Sequence, residues 1–208
     1  MTFQTEQETF WAENFGDEYI DRNNSEELIV RRMVNFSTML KSTHKIKSII
    51  ELGSNIGLNS IALKRLNKNF SLSGYEINQK AVEIANNQKV GQFFCESVIN
   101  PIKLSSKYDL AFTSGVLIHI NPNYLQKVYE NLYNLSSRYI IINEYYNPTP
   151  LSVDYRGSKG KIFKRDFAGE LMDKYNLNLV DYGFLYRRDN YFPRDDTNWF
   201  LLEKTNEI

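Results

Sequence analysis

One cysteine, Cys95, and two histidines, His44 and His119, stand in a chain of 208 residues. A lone thiol forms no internal disulfide, and so few soft or imidazole ligands exclude a Cys-rich zinc site. No metal is expected, and the sparse thiol usage fits a reducing, cytoplasmic setting. Excess charge of one sign is also missing, because 25 Lys and Arg balance 25 Asp and Glu. The electrostatic footprint of a dedicated nucleic-acid binder is therefore lacking, and no nucleic-acid partner is expected. No segment reaches the roughly 20 apolar residues of a membrane span. The opening residues, Met1-Thr-Phe-Gln-Thr-Glu-Gln-Glu8, carry acids rather than the basic and apolar regions of a targeting segment. Neither a membrane partner nor a leader is expected.

What is present is ordinary globular material, 42% hydrophobic and 24% charged, with an aromatic share of 14% that collects toward the C-terminal third. This length fits one domain with a sizeable core. Residues 1–45 read as a helical cap, with Phe10, Trp11 and Phe15 near helical spacing. Asn24-Ser-Glu-Glu27 then offers N-cap chemistry before a second apolar stripe. Residues 46–145 alternate strands (47–52, 70–75, 92–95, 108–113, 138–143) with helices (58–66, 78–87, 124–135), the pattern of a doubly wound parallel sheet. Residues 146–208 begin with a Pro-containing loop and a polar stretch to Lys164. A helix near 166–175 and two strands near 179–186 and 199–203, expected to be antiparallel, complete the chain. The fold class is α/β: a Rossmann-like, mostly parallel sheet with an antiparallel C-terminal strand and an N-terminal helical cap. The oligomeric state is not legible.

The strongest local signal is Ile49-Ile-Glu-Leu-Gly-Ser-Asn-Ile-Gly-Leu-Asn59, between the first strand and its helix. Gly53, Ser54 and Gly57 let backbone approach a ligand, and the helix start presents N–H groups and a positive dipole end. A dinucleotide fingerprint needs glycines at positions held here by Asn55 and Leu58, which disfavours NAD. Glu76 ends the second strand 19 positions after Gly57, where a carboxylate can accept both hydroxyls of a ribose.

Glu51-Leu-Gly-Ser-Asn-Ile-Gly57 followed by Tyr75-Glu-Ile77 resembles the first two motifs of the class I S-adenosylmethionine-dependent methyltransferases, departing from them at Asn55. That resemblance implies S-adenosylmethionine as cofactor and S-adenosylhomocysteine as product. It implies Glu51 at the amino-acid end of the cofactor, Glu76 on its ribose, and Ile77 with Ser97 beside the adenine. A wider resemblance, to methyltransferases associated with pseudaminic acid biosynthesis, is carried by five segments. These are Phe10-Trp-Ala-Glu-Asn-Phe-Gly-Asp-Glu-Tyr-Ile-Asp-Arg-Asn23, Ser114-Gly-Val-Leu-Ile-His-Ile-Asn-Pro122, Glu144-Tyr-Tyr-Asn-Pro148, Tyr155-Arg-Gly157 and Phe163-Lys-Arg-Asp-Phe-Ala-Gly-Glu170. It implies an acceptor that is a small molecule, such as a sugar derivative.

Ser114, Gly115 and Val116 follow the fourth strand, at the edge where open sheets bind ligands. His119, just beyond, and Glu144 are the candidate bases. Tyr19, Arg22 and Asn23 are candidates to fold over the cofactor, with Arg22 able to pair with its carboxylate. Tyr145, Tyr146, Tyr155, Arg156, Lys164, Arg165 and Arg187 form a candidate acceptor cluster, although each basic residue could equally sit on a solvated face. Two other readings stay open: a cofactor-binding scaffold without turnover and, more weakly, an NAD-dependent oxidoreductase.

Overall fold

The computed structural model describes residues 2–103, 105–155 and 158–205. The cap comprises three helices, α1 (Glu6–Ala12), α2 (Asn14–Arg22) and α3 (Glu26–Met39). Thr5 and Glu8 form a capping box that starts α1, and Ser25 Oγ caps α3.

Seven strands form the main sheet: β1 (Ser48–Leu52), β2 (Ser71–Glu76), β3 (Gln92–Cys95), β4 (Tyr108–Ser114), β5 (Ser136–Glu144), β8 (Leu177–Leu185) and β9 (Thr197–Lys204). Their order is β3-β2-β1-β4-β5-β9-β8. The first five run parallel, and β9 is antiparallel to both β5 and β8. The central strands are apolar runs because helices cover both faces. On one face α3 and α4 (Leu58–Leu66) pack Phe36 and Leu63 against Ile49, Phe112 and Ile141. On the other, α6 (Leu125–Leu135) and α7 (Phe167–Lys174) pack Val128, Leu132 and Leu171 against Ile50, Ala111 and Ile140. Helix α5 (Gln79–Asn87) connects β2 to β3.

The polar stretch after residue 150, expected to be loop, instead contains a separate hairpin, β6 (Leu151–Tyr155) with β7 (Ser158–Lys164). Leu151 is half exposed while Ile162 is buried in the core. One buried side chain is too little apolar patterning for a strand to announce itself. Strand order reverses between β1 and β4, and a cleft opens at the carboxyl ends there. No helix among the described residues is long and apolar enough to cross a membrane.

Candidate active site

A cavity of about 410 Å³ occupies that cleft. Its floor is the turn from β1 to α4, where three residues hold positive φ: Gly53 at 80°, Asn55 at 44° and Gly57 at 79°. A Cβ at Gly53 would stand 2.3 Å from Val116 Cγ2, so the β1 turn and the turn after β4 touch there. Asn55 carries its left-handed backbone at a position glycine often fills, which Asn tolerates best among residues with a side chain.

Glu76 closes the turn. Its Oε2 accepts from Asn55 N–H at 2.8 Å and its Oε1 from Asn78 N–H at 2.9 Å. A carboxylate offers about four acceptor positions, so capacity remains for a ligand's hydroxyls. Burial raises the Glu76 pKa, and those backbone donors oppose the rise. Glu51 is buried on β1, with Oε1 accepting from Asn59 Nδ2 at 2.5 Å while Oε2 has no partner. Burial pushes its pKa up to about 8, against the pull of Asn59 and Arg32.

The helical cap forms the opposite wall. Glu8 is buried, and its Oε1 accepts from Ser97 Oγ at 2.6 Å. Its Oε2 accepts from Gln4 N–H and Thr5 N–H. The capping-box acid of α1 therefore also anchors the loop after β3. Asn78, which caps α5, reaches back through Nδ2 to Asp17 Oδ1 of α2 at 2.9 Å, tying the cap down beside Glu76. Ile77, Ser97, Tyr19 and Asn23 all line the cavity.

The sequence reading put a cationic partner for the cofactor carboxylate at Arg22, whereas the arginine that lines the cavity is Arg32. Arg22 pairs with Glu18 at 3.5 Å across one helical turn, lies over the Phe15 ring and does not line the cavity. Arg32 of α3 does line it, near Glu51, Tyr19 and Asp195, with its buried Nε unpartnered. Burial lowers the Arg32 pKa, and those neighbours raise it. The available signal was position: Arg32 lies three residues after Ile29 and four before Phe36, inside the apolar stripe of α3.

Ser114, Gly115 and Val116 line the cavity, and a Cβ at Gly115 (φ +70°) would meet nothing within 4 Å. Glu144, a candidate base from sequence, is instead buried beneath this turn and does not line the cavity. Its Oε1 accepts from Val116 and Leu117 N–H at 2.9 and 3.1 Å, and its Oε2 from Ile118 N–H at 3.4 Å. Burial raises its pKa to about 7 against those three donors. With both oxygens committed to backbone, Glu144 shapes the turn that carries His119. His119 itself lines the mouth with Tyr124, Tyr145 and Ile162.

Of the acceptor cluster expected from sequence, Tyr145 lines the cavity, whereas Tyr146, Lys164, Arg165 and Arg187 do not. Arg165 pairs with Glu170 at 2.6 Å, and Arg187 with Asp196 at 3.3 Å. Tyr146 is exposed and makes a backbone bridge with Arg165, outside the cavity. Lys164 stands over the Tyr145 ring at 4.9 Å but is not a lining residue. The Tyr155 side chain and Arg156 lie outside the described residues. Sequence reasoning missed Glu8, Arg32, Asp195 and Thr197, cavity residues that only tertiary packing assembles. Among the described residues, no group of three His, Cys, Asp or Glu could hold a metal.

Solved structures share this architecture. Magnesium protoporphyrin IX methyltransferase from Synechocystis PCC 6803, with SAH bound, superposes with a TM-score of 0.69 at 13% identity, covering 96% of this chain and 100% of that one. The chain has the Rossmann-like methyltransferase fold. The same fold appears in the plantazolicin methyltransferase BpumL in complex with SAH (TM-score 0.66, 13% identity, 96% and 94% covered). It appears again in the methyltransferase domain of bacterial CtHen1-C (0.63, 21%, 85% and 98%). No family model and no curated protein matches the chain. In the methyltransferase fold the cleft described above lies at the carboxyl edge of the parallel strands.

Proposed function

We propose that the chain is an S-adenosylmethionine-dependent methyltransferase acting on a small molecule. The observation that carries this reading is the set of polar atoms left open on the cavity wall: Glu51 Oε2, Ser54 Oγ and Arg32 Nε are buried without partners. Buried polar groups are nearly always satisfied, so an open carboxyl oxygen, a hydroxyl and a guanidinium N–H around one cavity call for a polar ligand that both donates and accepts hydrogen bonds.

S-adenosylmethionine fits that wall. Arg32 supplies the cation for its carboxylate and Glu51 the acceptor for its ammonium, while Glu76 accepts from the ribose hydroxyls. Ile77 offers an apolar surface to the adenine, and Glu8 keeps acceptor capacity for the exocyclic amine. Tyr19 of α2 and Asn23, the residue that ends it, stand on the wall beside the amino-acid end in this reading.

When bound, the cofactor supplies an electrophilic methyl group on a sulfonium whose leaving group is already good. The protein's task is then to align the acceptor and exclude water, and to take a proton only where the acceptor holds one. In this reading His119 takes that proton and Tyr145 and Tyr124 contact the acceptor, supported by all three lining the cavity. Glu144 acts as a positioning residue through the backbone of the His119 turn. A sugar-derived acceptor follows the sequence resemblance in Phe10–Asn23 and Ser114–Pro122, segments that build the cap wall and the His119 turn. The solved neighbours bear names that include a porphyrin and plantazolicin, so they select no acceptor class.

Titration calorimetry with S-adenosylhomocysteine and NAD, followed by transfer of labelled methyl to candidate sugars and sugar nucleotides, tests this reading. Tighter binding of NAD overturns it, and firm cofactor binding with no transfer favours a scaffold.

A further inference from the structure

Helices α1 and α2 form a body of their own. Phe10 stacks on Phe15 with ring centroids 4.0 Å apart, and Trp11 meets Phe15 and Tyr19 edge-on at 5.2 and 5.3 Å, so the two helices pack on each other. Among the described residues, Ile20 is the one side chain of α1 and α2 in the apolar clusters that pack on the sheet, whereas α3 gives Ile29, Phe36 and Met39. Apolar burial therefore fastens α3 and leaves the first two helices to weaker ties. A polar connection, Asn23-Asn24-Ser25, joins them to α3, with Asn24 and Ser25 exposed.

The ties described between this body and the sheet edge are mainly hydrogen bonds. Gln4 Nε2 donates to Asn100 Oδ1 at 2.7 Å, Ser97 Oγ to Glu8 Oε1 at 2.6 Å, and Asn78 Nδ2 to Asp17 Oδ1 at 2.9 Å. Lys80 stands 3.7 Å from Asp17, with both side chains half exposed. Water replaces each such partner when the groups part, so their net hold is small beside that of the core. Glu8 and Trp11 stand three positions apart on one face of α1. Glu8 meets the loop after β3 and Trp11 meets the His119 ring after β4, so one helix touches both flanks of the cleft. Thr5, Tyr19 and Asn23 complete the surface that this body turns to the cavity.

We propose that α1 and α2 move together as a lid over the cavity. Swung away, they open it to the cofactor; closed, they seat Glu8 on Ser97 and Trp11 on His119 in one movement. The proposal rests on the cofactor reading above for what enters, but the movement belongs to the ligand-free chain. A ligand that fills the cavity touches the lid only when it is closed, and so shifts the population toward the closed form.

Hydrogen exchange on the wild type, free and with S-adenosylhomocysteine, is the first test. In the free chain the α1 and α2 amides are expected to exchange as a group about 10-fold or more faster than those of α3, and the ligand to slow them. A tether is the second: Gln4→Cys and Asn100→Cys in a Cys95→Ser background, joined by a short bis-methanethiosulfonate that reductant removes. Neither position lines the cavity. The tether should slow lid exchange, and it should slow association and release of S-adenosylhomocysteine, followed by stopped-flow tryptophan fluorescence, about 10-fold or more. Reduction should restore both rates. Lid amides as protected as those of α3 overturn the proposal, as do ligand rates that the tether leaves unchanged. A wild type that binds no S-adenosylhomocysteine overturns the cofactor reading instead, and exchange in the free and tethered chains then decides the lid by itself.

Discussion

Trp11 and His119 lie ring against ring, centroids 4.5 Å apart and planes 56° to one another, so the N-terminal cap meets the turn after β4 at the cavity mouth. If His119 acts as the base proposed above, the Trp11 indole limits how freely its ring can turn away from the cavity that it lines. His119→Ala is expected to lower turnover by about 100-fold or more while S-adenosylhomocysteine affinity stays nearly unchanged. Calorimetry beside steady-state kinetics checks this. A small loss would mean that alignment alone drives transfer.

Glu76 already holds two backbone N–H groups, so its substitution must be conservative to be informative. Glu76→Gln keeps one acceptor oxygen and loses the charge that strengthens bonds to ribose hydroxyls. Binding of S-adenosylhomocysteine should weaken about 10- to 100-fold, in line with about 1.5–3 kcal/mol for hydrogen bonds to a charged group. An analogue lacking both ribose hydroxyls should bind wild type and variant alike, and a persisting difference would remove Glu76 from the ribose.

The Glu51 pKa, pushed up to about 8, leaves this carboxyl largely protonated at pH 7. The sign for stability follows: a folded-state value raised above the ordinary 4.5 stabilises the ligand-free protein below the ordinary carboxylate range. That contribution is lost as pH rises through about 8. An ammonium placed beside Glu51 favours its charged form, so binding near pH 7 should release protons and tighten as pH rises toward 8. Calorimetry in two buffers of different ionisation enthalpy measures the release. Glu51→Gln should abolish it.

Gly53 and Gly115 separate stability from binding. Both need positive φ, but a Cβ at Gly53 collides with Val116, whereas one at Gly115 enters open space in the cavity. Gly115→Ala should cost about 1 kcal/mol of folding stability from backbone strain alone and mainly weaken cofactor binding. Gly53→Ala should lower the melting temperature further. Thermal unfolding with and without S-adenosylhomocysteine distinguishes the two.

The sheet was legible because its central strands are apolar runs set between turn and cap residues. Leu58–Leu66 and Gln92–Cys95 coincide with the segments read from sequence. The ligand turn was legible for the same reason, since Gly53, Asn55 and Gly57 meet a local backbone demand that leaves a local trace. The hairpin Leu151–Tyr155 with Ser158–Lys164 was not, because its main buried contribution is Ile162. Nor were the partners of charged groups: Arg165 finds Glu170 five residues away, and Arg187 finds Asp196 nine residues away. Residue type gives the charge of a side chain but not the direction in which packing points it.

The two arginines of the cap turn that point into an experiment. Arg22 lies on α2 with an exposed partner, Glu18, one turn back, and such surface pairs contribute about 0–1 kcal/mol. Arg32 lies on α3 with Nε buried and open, and its NH1 donates to Leu28 O at 3.1 Å. Arg22→Ala should therefore leave S-adenosylhomocysteine affinity unchanged. Arg32→Lys keeps the charge but loses the planar fork that grips a carboxylate with two bonds, so affinity should fall about 10-fold or more. The same variant should bind an analogue lacking the amino-acid carboxylate as well as wild type does. Weakening of both ligands alike would mean that Arg32 only supports the packing of α3, and the carboxylate would then need another partner on the wall.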